Sequence, residues 1–449
     1  MGDLAKIFKA YDVRGVVPDE LDEPIAEAVG AAFVEVTGAA SVVVAHDMRE
    51  SSVPLAEAFV RGARSRGADV VFAGLGSTDL LYYASGSLGL PGVMFTASHN
   101  PARYNGMKMC RGGAVPIGGE TGLAEIRDRA AELLGAPATP TGSLIEKDLL
   151  SGYAAHLRGL VDLSAIRPLK VVADAGNGMA GHTVPAVFEG LPLELVPLYF
   201  ELDGSFPNHE ANPLEPQNLL DVQRAVVESG ADLGLAFDGD ADRCWVVDER
   251  GASVSPSAVT ALVATRELAK DPGGTIIHNV ITSLGVPEIV REHGGTPVRT
   301  RVGHSFIKAE MARTGAIFGG EHSAHYYFRD FWFADSGLLA AMHVLAALGE
   351  QERPLSQVVA AYSRYHASGE LNSAVADQDE ALALVRAAFA GRGEVDELDG
   401  LTITGPDWWF NLRASNTEPL LRLNAEAADE SKMKAIKDEV LAIVGRVSL

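Results

Sequence analysis

Asp238, Asp240 and Asp242 alternate within LGLAFDGDADRCWVVDERG. Carboxylates at alternate positions of an extended loop can converge on one hard cation, and an all-oxygen ligand set suits Mg2+ or Ca2+. Without such a charge, three carboxylates this close repel one another. Arg243 follows directly, and a guanidinium beside a metal suits a phosphate taken up by two parallel hydrogen bonds. An EF-hand does not fit, because counting from Asp238 puts Arg243 where the sharp turn needs Gly, and the flanks read as strands. A divalent site facing a phosphate is expected. Near the C-terminus, RASNTEP places Arg413, Ser415, Asn416 and Thr417 on a loop between two strands. One guanidinium, two hydroxyls and successive backbone N–H groups can cradle a phosphate that is not transferred. GEHSAH sets Glu321 and Ser323 two residues apart, an acceptor and a donor-acceptor for adjacent sugar hydroxyls, and leaves His322 without a role. Further positive charge comes from Arg14, Lys108, His304 and Lys308. Ser98 lies in TASHNP after the apolar run LPGVMF; as residues alone this is a turn, in which Asn and Pro punctuate and Ser can cap its own backbone.

The elements that must hold these loops repeat. SVVVAHDMRESSVPLAEAF, KVVADAGNGMAGHTVPAVF and TIIHNVITSLGVPEIV each read as a β-branched strand, a polar or glycine-containing loop and then helix-period residues. Three α/β units are expected, recurring about every 100 to 130 residues. LDGLTITGPDWWFNLRASNTEPLLRLNAEA alternates like paired strands and SKMKAIKDEVLAIVGRV reads as an amphipathic helix, so a small α+β domain closes the chain. Boundary loops are read at LLGAPATPTGS, DERGASVSPS and SGELNSAVADQDE, giving domains 1–143, 144–250, 251–367 and 368–449. With 449 residues, 47% of them hydrophobic, the chain can build several cores. Its formal charge of −23 argues against nucleic acid or an anionic membrane as partner, so an anionic ligand must meet a locally basic pocket. Cys110 and Cys244 form neither a disulfide framework nor a zinc spacing, and a reducing cytoplasm is expected. MGDLAKIFKAYDVRG lacks an apolar signal core, and no run reaches the roughly 18 apolar residues that span a bilayer.

Taken together, the motifs resemble those of the α-D-phosphohexomutases. TASHNP, DGDAD with Arg243, GEHSAH and RASNTEP stand in that family's order, with AYDVRG before them and DAGNGMAG between, so the resemblance covers essentially the whole chain. KAYDVRG and GEHSAH look more like the phosphomannomutase/phosphoglucomutase branch than the phosphoglucosamine one. The resemblance implies an α/β fold of four domains around a central cleft, three alike and a C-terminal α+β domain. It implies that Ser98 carries phosphate, that Ser98, Asp238, Asp240 and Asp242 hold Mg2+, and that a hexose 1,6-bisphosphate forms as bound intermediate or activator. Arg14, Lys108 and Arg243 match positions around the transferring phosphoryl group. Glu321 and Ser323 match the sugar contacts, and Arg413, Ser415, Asn416 and Thr417 the phosphate clamp. Lys108, His304 and His325 are the candidates for the acid/base role, and proximity along the chain does not decide among them. Neighbours in an extended loop point apart, so His99 is expected to face away from Ser98 as a phosphate contact or structural residue. A phosphosugar is the implied small-molecule partner, with the chain a monomer or weak homodimer.

Two positions depart from the pattern: Ala324 stands where GE-x-SGH has glycine, and Ile281 where several relatives place a substrate-contacting lysine. Both bear on the sugar preference. Alternatives are a phosphoglucosamine mutase, a Mg2+-dependent sugar phosphatase attacking through the Asp238–Asp240 pair, and a sugar-phosphate-binding protein without turnover. The phosphatase leaves TASHNP and RASNTEP without a task.

Overall fold

Buried strands rich in β-branched residues begin each of the three repeats. The computed structural model describes residues 4–137, 139–415 and 420–447. It places the strands at Ser41–His46, Leu169–Asp174 and Thr275–Asn279, with helices Ser52–Ser65, Ala180–Phe188 and Gly285–Glu292 after them. A second strand runs parallel beside each: Gly92–Phe95, Leu233–Phe237 and Phe318–Gly320 respectively. TASHNP, DGDAD and GEHSAH therefore leave the carboxyl end of the equivalent strand in each repeat. In parallel sheets that end is where ligand-binding loops collect.

The chain divides into two compact units, Met1–Val254 with Ser323–Val358, and Ser255–His322 with Val359–Leu449. In the first unit one sheet runs in the order Val13–Val16, Tyr104–Arg111, Gly92–Phe95, Ser41–His46, Asp69–Leu75, Leu144–Glu146. Helix Glu23–Thr37 covers it, started by Asp22, whose side chain accepts from the Ile25 N–H at 2.9 Å, and stopped by Gly38 in the left-handed region. It presses on helix Ser52–Ser65 through Gly30 against the Phe59 carbonyl and Gly62 against the Glu27 carbonyl, where any side chain would collide. Phe33, Phe59 and Phe95 stack edgewise in the core beneath, each burial stabilising by about 1.5–3 kcal/mol. The second sheet of this unit runs Ser253–Val254, Cys244–Asp248, Leu233–Phe237, Leu169–Asp174, Leu193–Leu198. The hairpin Tyr326–Phe328 with Ala334–Asp335 and the helix Gly337–Gly349 complete the unit.

In the second unit Thr275–Asn279 lies between Thr296–Thr300 and Phe318–Gly320, all parallel. The C-terminal sheet is antiparallel, in the order His366–Ala374, Leu420–Ala427, Trp408–Ala414, Leu401–Thr404, Glu394–Asp396. Phe389, Trp408 and Phe410 anchor its core, with helices Gln378–Ala388 and Glu430–Val444 packed on it. One expected loop is instead a strand: SGELNSA belongs to His366–Ala374 at the sheet edge. Most of its side chains face solvent, so main-chain pairing with Leu420–Ala427 rather than an apolar face holds it, and its polar sequence hides it. Cys110 and Cys244 are buried and unpaired with each other. No helix among the described residues is long and apolar enough to cross a membrane.

Candidate functional site

The turn read in TASHNP is real, and it aims Ser98. The Ser98 backbone sits at φ 50°, in the left-handed region, and its N–H donates to Thr96 Oγ1 at 2.9 Å. Its hydroxyl then donates to Asp238 Oδ2 at 2.8 Å and receives Arg243 Nη2 at 3.2 Å. DGDAD can approach this closely because Gly239 lacks a side chain; a Cβ there would stand 2.5 Å from the Ser98 carbonyl oxygen. Each of the three loops carries a non-glycine residue in the same region: Ser98, Ala241 at φ 60° and Ala324 at φ 63°. Such backbones cost about 1–3 kcal/mol each and persist where surrounding structure over-determines them, typically at functional sites.

The turn also changes the expectation for His99. Its Nδ1 lies 3.3 Å from the Ser98 hydroxyl and accepts from Arg243 Nη2, so the neighbours converge instead of pointing apart. The alternation argument needs an extended chain, and Ser98 is not extended. Burial, and then Arg243 and Arg14, push the His99 imidazole well below its ordinary protonation range, which keeps it neutral.

Around Ser98 the buried charges interlock. Lys108, on the strand Tyr104–Arg111, spans Asp240 at 2.6 Å and Asp242 at 2.5 Å. Thr78 donates its hydroxyl to Asp240 at 2.6 Å. Arg243 donates through Nε to Asp238 Oδ2 at 2.9 Å. Burial raises the Asp238 carboxyl to about 7, Arg243 opposing and Asp242 and Asp240 adding to the rise. Burial also resists ionisation of Asp240, but Lys108, with the Thr78 hydroxyl and Arg243, outweighs it and holds that carboxyl below the usual range. For Lys108, burial is overcome by Asp240, Asp242 and Asp238, which raise it; it is a fixed cation. The cluster has the donors for a divalent ion as well. Asp240 Oδ1 and Asp242 Oδ1 are buried with no hydrogen-bond partner among the described residues, and carboxylate oxygens of the three aspartates lie within 4.8 Å of one another.

His325 joins the same cluster, its Nδ1 2.9 Å from Asp335 Oδ2 and 3.8 Å from Asp242 Oδ1. Arg14, on Val13–Val16, reaches Asn100 Oδ1 at 2.5 Å and pairs with Asp12. Ser98, Lys108, Arg14, the three aspartates, Arg243 and His325 thus gather in one unit, which also contains the half-buried Ser323. Glu321 belongs to the other unit, where it is buried and accepts from Asn279 Nδ2 at 3.1 Å and the Gly303 N–H at 3.2 Å, next to His304 at the start of the helix His304–Thr314. His322 meets Ser257 Oγ at 3.3 Å, a structural bond. Arg413, at the end of Trp408–Ala414, pairs with Glu370 at 2.9 Å, and the Ser415 N–H donates to the Leu420 carbonyl. Asn416 and Thr417 lie outside the described residues. Ile281 is buried and lines a small pocket with Ser283, His322 and Trp409.

Sequence reasoning overlooked three contributors: Thr78 on Asp240, Asp335 on His325, and Arg49 under the Ser98 loop. Only Arg49 left a trace, as Asp-x-Arg directly after the strand Ser41–His46. Ala324 supplies a direct test of loop strain. Because it is buried at φ 63°, Ala324→Gly is expected to raise stability in urea unfolding by about 0.5–1 kcal/mol, the left-handed penalty less the entropy glycine brings. A loss of stability would show that the loop carries no such strain.

Comparison with known proteins places these loops in a common frame. Four phosphoglucomutase/phosphomannomutase family models match: alpha/beta/alpha domains I, II and III at residues 5–134, 151–251 and 255–365, and the C-terminal domain at 370–443. An Escherichia coli phosphomannomutase is 41% identical, over 97% of this chain and 98% of its own. A protein described as phosphohexose mutases in Xanthomonas campestris pv. campestris is 42% identical, over 95% of this chain and 96% of its own. The crystal structure of a phosphoglucomutase/phosphomannomutase family protein from Burkholderia thailandensis superposes with a TM-score of 0.90 at 34% identity, covering 100% of this chain and 98% of that one.

Proposed function

Because the chain belongs to the phosphoglucomutase/phosphomannomutase family of hexose-phosphate mutases, we propose that it interconverts the 1- and 6-phosphates of mannose and glucose through phosphoserine at Ser98 and a bound hexose 1,6-bisphosphate. The observation that carries this reading is the Ser98 hydroxyl, 2.8 Å from Asp238 and 3.2 Å from Arg243, beside three buried aspartates and Lys108. A serine hydroxyl is a poor nucleophile unaided, while phosphoryl transfer depends on alignment and on neutralising the moving oxygens.

In this reading the phosphoserine P–O bond breaks as a sugar hydroxyl oxygen bonds to phosphorus. The released proton passes to His325, which Asp335 orients through Nδ1. The bisphosphate turns over, the Ser98 oxygen bonds to its other phosphorus as that phosphorus–sugar oxygen bond breaks, the proton on His325 passes to the freed sugar oxygen, and the isomeric monophosphate leaves. Arg243 and Lys108 supply fixed positive charge, and Arg14 braces the loop through Asn100. Asp238, Asp240, Asp242 and a Ser98 phosphate oxygen would hold Mg2+, which supplies charge neutralisation on the transferring group. Glu321 and Ser323 contact the sugar, with His304 at the start of its helix, next in sequence to Glu321's partner Gly303, and Arg413, Ser415, Asn416 and Thr417 clamp the idle phosphate. Asp238 already accepts from both Ser98 and Arg243 through Oδ2, which suits a partner of the serine better than an aspartate nucleophile.

The test is isomerisation of mannose, glucose and glucosamine 1-phosphates in parallel, with Mg2+ and a trace of hexose 1,6-bisphosphate. Mannose and glucose phosphates are expected to turn over well ahead of glucosamine phosphate; a wild-type enzyme that isomerises none of them overturns the proposal. Glu321→Ala should narrow the ratio of kcat/KM between sugars. Arg413→Ala should instead raise KM for all of them alike by about 10- to 100-fold, the loss expected for a charged hydrogen-bond pair. If both variants keep wild-type kinetics on every sugar, the pocket assignment is wrong.

A further inference from the structure

We infer that Arg49 is a positioning residue for phosphoryl transfer: it fixes the backbone of the Ser98 loop through its main-chain carbonyls. The inference rests on the phosphoserine reading above. Arg49 is only 2% exposed, and each of its five N–H donors has an acceptor. Nη2 reaches the carbonyl oxygens of Ser98 at 2.8 Å and Asn100 at 2.7 Å; Nη1 reaches those of Pro101 at 2.9 Å and Tyr104 at 3.0 Å. Nε is held by Asp47 at 3.2 Å. Asp47 is itself fixed by the Ser52 hydroxyl at 2.5 Å and by its own N–H on the Phe95 carbonyl at 2.9 Å, at the end of the strand that launches the loop. The Arg49 guanidinium carbon lies over the Phe206 ring, 5.1 Å from its centroid, and Gly204 lies against the Arg49 backbone.

This arrangement answers how a serine stays in a left-handed conformation. Four carbonyls drawn to one planar cation leave the loop little freedom to relax towards an ordinary backbone. Because each peptide is planar and trans, turning the Ser98 carbonyl onto Arg49 turns the His99 N–H the other way, off the Arg49 face of the loop. The Ser98 hydroxyl is thereby kept on Asp238 and Arg243. Lysine keeps the charge but presents three donors from one point, so it cannot fork across four carbonyls.

The experiment compares Arg49→Lys, Gly204→Ala and Ser98→Ala with wild type. Each is assayed for kcat and KM on mannose and glucose 1-phosphates, with thermal unfolding to count folded enzyme. Arg49→Lys is expected to lower kcat per folded molecule by about 100-fold, as a displacement near 1 Å can, with KM within about threefold for both sugars. A folded Arg49→Lys enzyme whose kcat stays within about threefold of wild type, or whose loss lies in KM alone, overturns the inference. Should that variant fail to fold, Gly204→Ala decides, since its Cβ would stand 2.7 Å from Arg49 Cα and must shift the residue without touching its charge. A kcat loss of about 5- to 10-fold at unchanged KM supports the inference, and wild-type kcat overturns it. Ser98→Ala separates the two readings. If it stays active, the phosphoserine reading fails and Arg49 with it; if it is inactive while Arg49→Lys is fully active, only the role of Arg49 falls.

Discussion

Ser98→Ala is expected to lower the isomerisation rate by about 10⁴-fold or more, a loss on the scale seen when a covalent nucleophile is removed. The fold should survive. The hydroxyl contacts only Asp238, Arg243 and His99 among the described residues, while Thr96 and Arg49 hold the loop through its backbone. Alanine pays the same left-handed penalty as serine, so unfolding in urea should change by no more than about 1 kcal/mol. The variant should bind hexose phosphates with nearly wild-type affinity, because the residues proposed as clamp and sugar contacts are untouched. Incubation with phosphorus-labelled hexose 1,6-bisphosphate, followed by mass spectrometry, should find label on wild-type Ser98 and none on the variant. Release of inorganic phosphate by the variant, with label on Asp238 or Asp240, would instead establish the aspartate-nucleophile phosphatase chemistry that the D-x-D pair permits.

The convergence of this site's residues was legible in the sequence wherever it depends on local spacing. Asp238, Asp240 and Asp242 are close neighbours in the chain, so their convergence follows from a single loop. What spacing does not reveal is contact between distant segments. Ser98 meets Asp238 across 140 residues, and Lys108 meets Asp240 across 132. Lys108 could be read as a positive charge but not as the bridge between two carboxylates. Arg49 was hidden for a different reason. Arginine is normally exposed, and a guanidinium spent on main-chain carbonyls leaves no side-chain pattern at the loop it holds, only the adjacent Asp-x-Arg. His99 was misplaced because the alternation rule assumes an extended loop, whereas the left-handed backbone at Ser98 breaks it. The strand His366–Ala374 was read as a loop because hydrophobic alternation marks buried faces, and an edge strand held by main-chain pairing need not have one.

Lys108→Met isolates the electrostatics of the aspartate cluster. Without the ammonium, Asp240 and Asp242, 0% and 1% exposed, lose their shared counter-charge and the Asp240 carboxyl loses what holds it ionised. Breaking a buried pair by removing one partner typically costs about 3–5 kcal/mol, and that loss is expected in urea unfolding with a chelator present. Burial favours protonation of Asp240 once the charge is gone, so part of the loss should be recovered as pH falls and Asp240 takes up a proton. Millimolar Mg2+ should recover more, and should stabilise the variant by a larger margin than wild type, because the ion then supplies the charge the lysine did. A ligand at 100 times its dissociation constant stabilises by about 2.7 kcal/mol, which sets the scale. Turnover should nevertheless remain depressed, by about 10²- to 10³-fold, since one cation restores the balance of the cluster but not the second positive charge beside the moving phosphoryl group. Equal Mg2+ stabilisation of both proteins would show that the lysine and the ion do not share the aspartates, and the cation site would have to be sought among other oxygens.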